Sequence, residues 1–188
     1  MLGYLLARAG AEVCVLEKHG DFLRDFRGDT IHPSTLDVMF ELGILDAFLK
    51  RPHQEAPQLK GLIGDTELIV ADFAHVHTHC HFIALMLQWD FLNFIVEEAR
   101  RYPAFQLKMN TEVTGLIEEG GQIRGVRGKA SNEPFGMRAA LVVGADGRHS
   151  QVRAAARLTV DDFTARRLMW SGFGFRGTRM IPRFHLAA

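Results

Sequence analysis

The 188-residue sequence predicts an α/β fold, on three observations. Leu2, Leu5, Leu6 and Ala9 follow helical spacing up to Gly10, and the run Ala11 to Glu17 follows at once as a buried strand ending in an acid. Far downstream, Leu141-Val142-Val143 breaks at Gly144 into Gly-Ala-Asp-Gly-Arg-His-Ser-Gln-Val-Arg. This is a strand, then two glycines around an acid, then a basic amphipathic stretch, a pattern that lets a backbone approach a charged ligand without side chains in the way. Between these ends lie alternating apolar segments with glycine turns and two amphipathic helices, as in a mixed sheet with crossover helices.

Composition sets the limits. With 47% hydrophobic residues the chain buries a core, and its length suits one domain with part of a second. Cys14 and Cys80 have no metal-like spacing, and buried free thiols in a reducing compartment are expected. No apolar run approaches the ~20 residues that span a membrane. Met1 to Ala7 is too short for a signal-peptide core, meets Arg8, and has no basic segment before it. A cytoplasmic location is therefore expected. The net charge of zero conceals an asymmetry: residues 164 to 188 hold five arginines (Arg166, Arg167, Arg176, Arg179, Arg183) and no acid, which leaves 17 basic against 22 acidic groups in residues 1 to 163. That tail has no lysine and interleaves Trp170, Phe173, Phe175, Ile181 and Phe184 without a period, so nucleic acid is not the expected partner.

The first helix and strand read as the second half of a β-α-β dinucleotide unit. In such a Rossmann-like unit an acid ending the second strand accepts hydrogen bonds from the adenosine ribose, and Glu17, with Lys18 beside it, is the candidate. Gly3 is then the small residue that lets helix and strand pack closely. The preceding strand and its Gly-x-Gly-x-x-Gly turn, which hold a pyrophosphate at the helix N-terminus, are not in the sequence. Any α/β protein with a surface glutamate shares this local pattern.

Residues 21 to 33 form a polar loop leading to a helix. Ser34 with Asp37 makes a capping-box-like pair, and Leu36, Met39, Phe40 and Leu42 form the apolar face before Gly43. Leu59 to Phe73 alternates weakly around a Gly64-Asp65 turn, and Phe82 to Leu87 is a continuous apolar strand. A helix opens at Gln88 and runs through Arg101, with Phe91, Phe94, Ile95 and Ala99 at helical spacing. His75, His77, His79 and His81 alternate, but four such positions on one strand span ~20 Å, too far for one ion, so a surface strand or loop is expected and no metal site. Phe105 to Met109, Thr111 to Glu118 and Gln122 to Arg127 read as strands, with Gly120-Gly121 as a turn. Phe135 to Val143 continues that hairpin into the glycine motif.

The spacing Gly144-x-Asp146-Gly147-x-x-Ser150-x-x-Arg153 resembles the Asp-Gly motif of FAD-dependent aromatic hydroxylases, the flavoprotein monooxygenases of the para-hydroxybenzoate hydroxylase type. Arg27 to Leu36 resembles the segment whose arginine reaches the FAD diphosphate and ribityl region, and Arg27 matches that arginine. A guanidinium suits the task because it is permanently charged and offers a planar fork of donors. Gln88 matches the glutamine of a helix start that hydrogen-bonds the flavin side chain, although Leu87 stands where many relatives have proline. Val113 matches a valine whose backbone lies against adenine. Arg27-Gly28-Asp29 also matches a cell-adhesion triplet, a reading set aside because no secretory signal accompanies it.

The resemblance covers residues 1 to about 163 in the family's order. It implies a partial Rossmann-like FAD-binding domain with a β-rich substrate-side insertion, residues 58 to 88 contributing to the latter. It also implies an NAD(P)H-using monooxygenase that passes one oxygen atom of O2 to an aromatic or phenolic small molecule, with the cofactor carrying the chemistry. Asp146 and Gly147 fall between flavin and nicotinamide in that family, and no catalytic acid or base is assigned. With the glycine-rich turn and the later Gly-Asp segment absent from the sequence, we expect weak or absent FAD binding and an impaired copy lacking both ends. The alternatives are a non-catalytic remnant or interaction module, and a nicotinamide-dependent dehydrogenase. After Asp161-Asp162-Phe163 relatives carry a strand of the type Gly-x-Pro-x-Asp-Val-x-Trp-Phe-Arg, which G+C-rich codons for residues 164 to 173 yield when shifted by one nucleotide. A frameshift near position 163 is therefore expected, and coding DNA with that strand in neither alternative frame contradicts it.

Overall fold

The computed structural model describes residues 1–22, 29–63, 66–161, 173–176 and 179–182. In chain order the elements are α1 (Leu2–Arg8), β1 (Val13–Leu16), β2 (Thr30–Ile31), α2 (Pro33–Glu41), α3 (Leu45–Leu49), β3 (Gln54–Ala56), β4 (Gln58–Ile63), β5 (Thr66–Asp72), β6 (Ile83–Leu85), α4 (Gln88–Ala99), β7 (Phe105–Lys108), β8 (Thr111–Glu119), β9 (Gln122–Ala130), β10 (Glu133–Arg138), α5 (Gln151–Ala155), β11 (Phe173–Arg176) and β12 (Arg179–Pro182). The chain divides into two compact units, one of Met1–Leu23 with Leu92–Asp162 and one of Arg24–Phe91 with Phe163–Ala188.

The first unit is built on the predicted helix and strand. Helix α1 closes at Gly10, whose φ of +83° lies in the left-handed region that glycine adopts without steric cost. Strand β1 pairs in parallel with β7, Val13 opposite Phe105 and Leu16 opposite Lys108. Parallel pairing requires a long crossover, which the intervening chain provides. Strands β8, β9 and β10 form an antiparallel sheet in the order β10-β9-β8. Its first turn is Gly120-Gly121, both at positive φ, the combination that two-residue hairpins favour.

The second unit carries a three-stranded antiparallel sheet in the order β2-β6-β3 and a separate β4–β5 hairpin. Leu36, Met39, Phe48, Ile83 and Ala84 are all but inaccessible to solvent. Helix α2 begins with a proline at its first turn, where a missing N–H costs nothing, and Gly43 at φ +73° ends it. Strands β11 and β12 form an antiparallel hairpin.

Several elements differ from expectation. The Ser34–Asp37 capping pair does not form: α2 starts at Pro33, two residues earlier than a Ser34 cap sets, His32 precedes it with no side-chain cap, and Asp37 accepts the His79 N–H at 2.8 Å instead. Helix α3 has only five residues, too short to leave a periodic signature. The histidine-rich segment takes the loop of its two expected forms, with turns and no strand, so the alternation of His75 to His81 defines no shared face. Strand β10 stops at Arg138, and its ladder ends with the Ala139 N–H donating to the Arg124 carbonyl at 2.9 Å. Leu141-Val142-Val143 belongs to no strand, and Leu141 is 76% exposed. An apolar run forms a strand only where a neighbour supplies a ladder, and none does so among the described residues. The Gly64-Asp65 turn and Arg27 lie outside the described residues. Both cysteines are free, Cys80 buried and Cys14 half-buried.

Gly3 meets its expectation directly. A Cβ built there lies 2.7 Å from Val15 Cγ2 and 3.2 Å from Phe105 Cε2, so only a hydrogen lets α1 seat on β1 and β7. Substituting Gly3→Ala overpacks that contact, an effect of about 1–3 kcal/mol that exceeds the helix-propensity gain of Ala over Gly. Urea unfolding is expected to show a lower midpoint, and an unchanged or raised midpoint contradicts the close approach.

Candidate functional site

Parallel pairing places Glu17 at the carboxyl end of β1, where open α/β sheets bind ligands. Its N–H donates to the Lys108 carbonyl at 2.9 Å, and its carbonyl accepts the Thr111 N–H at 2.8 Å. The glutamate backbone thus bridges the end of β7 and the start of β8. Its carboxylate accepts the His19 N–H at 2.9 Å, which fixes the side chain on the turn that follows the strand. Glu17 lines a cleft of ≈ 130 Å³ together with Met1, Gly3, Tyr4, Val15 and Phe22. Residues of α1 and the strand-end acid therefore open onto one small cavity. Lys18 is exposed immediately beyond. Val113, half-buried and opposite Gly128, lies two residues along β8 from the Thr111–Glu17 bond. That places it on the same strand face as Thr111, roughly 7 Å away.

The Asp-Gly segment is a self-bonded turn. A Cβ on Gly144 stands 2.9 Å from Val152 Cβ and Cγ1, so glycine is what lets α5 fold back on the turn. Gly147 sits at φ +84°. The Asp146 carboxylate accepts the Ser150 hydroxyl, the Gln151 N–H at 2.6 Å and the Val152 N–H at 3.1 Å. Ser150 Oγ in turn accepts the Arg153 N–H at 3.0 Å and caps α5, while the Arg153 guanidinium donates to the Arg148 carbonyl at 2.6 Å. Burial works against ionisation of Asp146, but the Ser150 hydroxyl and the backbone N–H groups outweigh it and hold the carboxyl below its usual value. The acid is thus engaged by its own chain, and what the turn offers a ligand is exposed backbone flanked by glycines. A larger cleft of ≈ 360 Å³ borders Gly144 and Ser150, and its walls include Leu116, Ile123, Leu141 and Val152.

In the second unit Gln88 is the first residue of α4 and half-buried, with its N–H 3.4 Å from Asp29 Oδ1. His79 lies with its ring stacked on Phe40 at 3.4 Å and its Nδ1 3.1 Å from Asp37 Oδ1. The roles of Asp29 and Asp37 escaped the sequence reading because their partners stand 59 and 42 residues away, beyond any local pattern. Glu17, Lys18, Val113, Gly144, Asp146 and Gly147 all belong to the first unit, and Gln88 to the second. Among the described residues, no group of three or more His, Cys, Asp or Glu side chains is arranged to hold a metal ion. No helix among them is long and apolar enough to cross a membrane.

The family profile described as FAD binding domain matches residues 1–176. The 6-methylpretetramide 4-monooxygenase of Streptomyces rimosus is 29% identical over 185 residues, covering 97% of this chain and 44% of that protein. An uncharacterized aromatic compound monooxygenase of Bacillus subtilis (strain 168), YhjG, is 26% identical over 158 residues, covering 84% of this chain and 31% of that protein. The crystal structure of p-nitrophenol 4-monooxygenase PnpA from Pseudomonas putida DLL-E4 superposes with a TM-score of 0.73 at 26% identity, over 85% of this chain and 40% of that one. The chain spans less than half the length of these relatives.

The bonding of the turn sets an acid dependence. Asp146→Ala removes the acceptor of three donors and strands the buried Ser150 hydroxyl, a loss of about 1 kcal/mol on the scale of helix caps. The folded carboxyl titrates below its unfolded value of ~3.9. Its contribution is therefore complete above that pH and lost as pH falls through the lower folded value. Urea melts from pH 7 to pH 3 are expected to show the variant less stable at neutral pH, the gap closing in acid. A pH-independent gap, or none, contradicts the assignment.

Proposed function

Because the chain belongs to the FAD binding domain family, we propose that it supplies the adenosine-side portion of the FAD site of an NAD(P)H-using monooxygenase acting on an aromatic or phenolic small molecule. The observation that carries this reading is Glu17 at the carboxyl end of β1, lining one cleft with Gly3 and the start of α1. On this reading Glu17 accepts the hydroxyls of the adenosine ribose with Lys18 at the rim, and the backbone of Val113 lies against the adenine. Gln88 donates to the flavin side chain, and Arg27 meets the diphosphate. The glycine-flanked backbone of Gly144 to Gly147 approaches the cofactor, with Asp146 holding that turn in shape. FAD, when bound, moves electrons from NAD(P)H to O2 and delivers one oxygen atom to the ring. The chain's own residues bind and orient it.

The relatives support this class, since one is an aromatic compound monooxygenase and another a p-nitrophenol 4-monooxygenase. We assign residues 1–163 to the FAD-binding portion with residues 58–88 on its substrate side, treat residues 164–188 as a distinct tail, and place the protein in the cytoplasm. Titration of flavin fluorescence with the full chain tests the reading. Where the sequence alone allows weak or absent binding, the cleft at Glu17 narrows the expectation to weak but saturable FAD binding, loosened about tenfold or more by Glu17→Ala, the scale of a lost charged hydrogen bond. Absence of saturable binding by the wild-type chain overturns the proposal and favours a non-catalytic remnant.

A further inference from the structure

We propose that Asp29 is a positioning residue: its carboxylate caps the N-terminus of α4 from 59 residues away and so holds Gln88 in the orientation a ligand contact needs. The ligand half of this statement rests on the FAD reading above; the cap does not.

A helix leaves its first N–H groups without internal partners, and a Ser, Thr, Asp or Asn just before the helix ordinarily accepts from one of them. The residue before α4 is Leu87, whose carbonyl accepts the Asp90 N–H at 3.0 Å and the Phe91 N–H at 3.3 Å. Its side chain has no oxygen to offer. The acceptor nearest the first amide is Asp29 Oδ1, 3.4 Å from the Gln88 nitrogen. That distance is long for a neutral hydrogen bond, but a carboxylate at a helix N-terminus is also attracted by the partial positive charge there.

The placement of Asp29 is determined by the sheet. Thr30 and Ile31 pair with Leu85 and Ala84, and the Met86 N–H donates to the Asp29 carbonyl at 3.0 Å. Ile31, Ala84 and Met86 are buried, so this two-strand contact is fixed in the core of its unit. Asp29 stands at one end of the contact and Gln88 two residues beyond Met86 at the same end. The ladder thus fixes the distance between carboxylate and amide, and the cap converts a leucine-led helix start into an ordered one. Gln88 points its side chain from a residue whose backbone N–H is held, rather than from a frayed turn.

Three variants of the full chain, Asp29→Ala, Asp29→Asn and Gln88→Ala, separate the possibilities. Amide hydrogen exchange read by NMR is expected to be ~2- to 30-fold faster at Gln88 in D29A, the range of lost helix caps, with Leu92 to Ala99 unchanged. The FAD dissociation constant is expected to rise in D29A by a similar factor. D29N is expected to restore most of both quantities, since Asn also caps and only the charge attraction is lost, and D29A combined with Q88A to bind FAD no more weakly than Q88A alone. Unchanged Gln88 exchange in D29A overturns the cap. Faster exchange with undiminished FAD binding overturns the positioning role, and failure of D29N to restore binding shows a direct charge contact instead. A wild-type chain that binds no FAD overturns the functional reading and the ligand half together, and the Gln88 exchange comparison then decides the cap by itself.

Discussion

What the cleft at Glu17 offers depends on one close approach, the seating of α1 on β1 and β7 at Gly3. The missing side chain lets Val15 and Phe105 come within reach of the helix backbone. Gly3, Val15 and Glu17 line the same small cleft, and parallel pairing with β7 sets Glu17 beside the end of that strand. The backbone of Glu17 continues the constraint into β8 through Thr111. A larger residue at position 3 displaces the helix, and with it the wall of the cleft.

A second regularity concerns the aspartates. Asp146 serves the start of α5, Asp37 holds the His79 amide and ring, and Asp72 accepts the Ala74 N–H at 2.9 Å and the Gln58 side chain at 2.7 Å. In each case donated hydrogen bonds hold the carboxyl below its usual value. These acids organise backbone, and Glu17 does so too through the His19 N–H while also lining a cavity. The distinction matters for reading the Asp-Gly motif: its aspartate shapes the turn, and its glycines make the exposed surface.

The architecture was legible wherever a residue's role is local. Gly10, Gly43 and Gly120-Gly121 stop helices or turn strands through their own backbone angles, so their effect is written at the position itself. The place of Glu17 just after the end of β1 could be read because strand direction follows the chain itself. What could not be read is what depends on distant partners. Asp37 matches a capping box by spacing yet bonds His79, and Asp29 has no local signature at all. Leu141 to Val143 has the composition of a buried strand but, among the described residues, no neighbour to pair with, and pairing is not a property of the run itself. The alternating histidines show the reverse case, a regular pattern that the turns between β5 and β6 dissolve.

The central claim is that the glycine-permitted contact between α1 and β1 sets Glu17 against a cofactor. Backbone amide shifts of the isotopically labelled chain, followed during FAD addition, test it most directly. The account predicts saturable changes centred on Gly3, Glu17, Lys18 and Val113, with further changes over Gly144 to Gly147. Saturable changes that leave Gly3 and Glu17 unmoved while other segments respond contradict it.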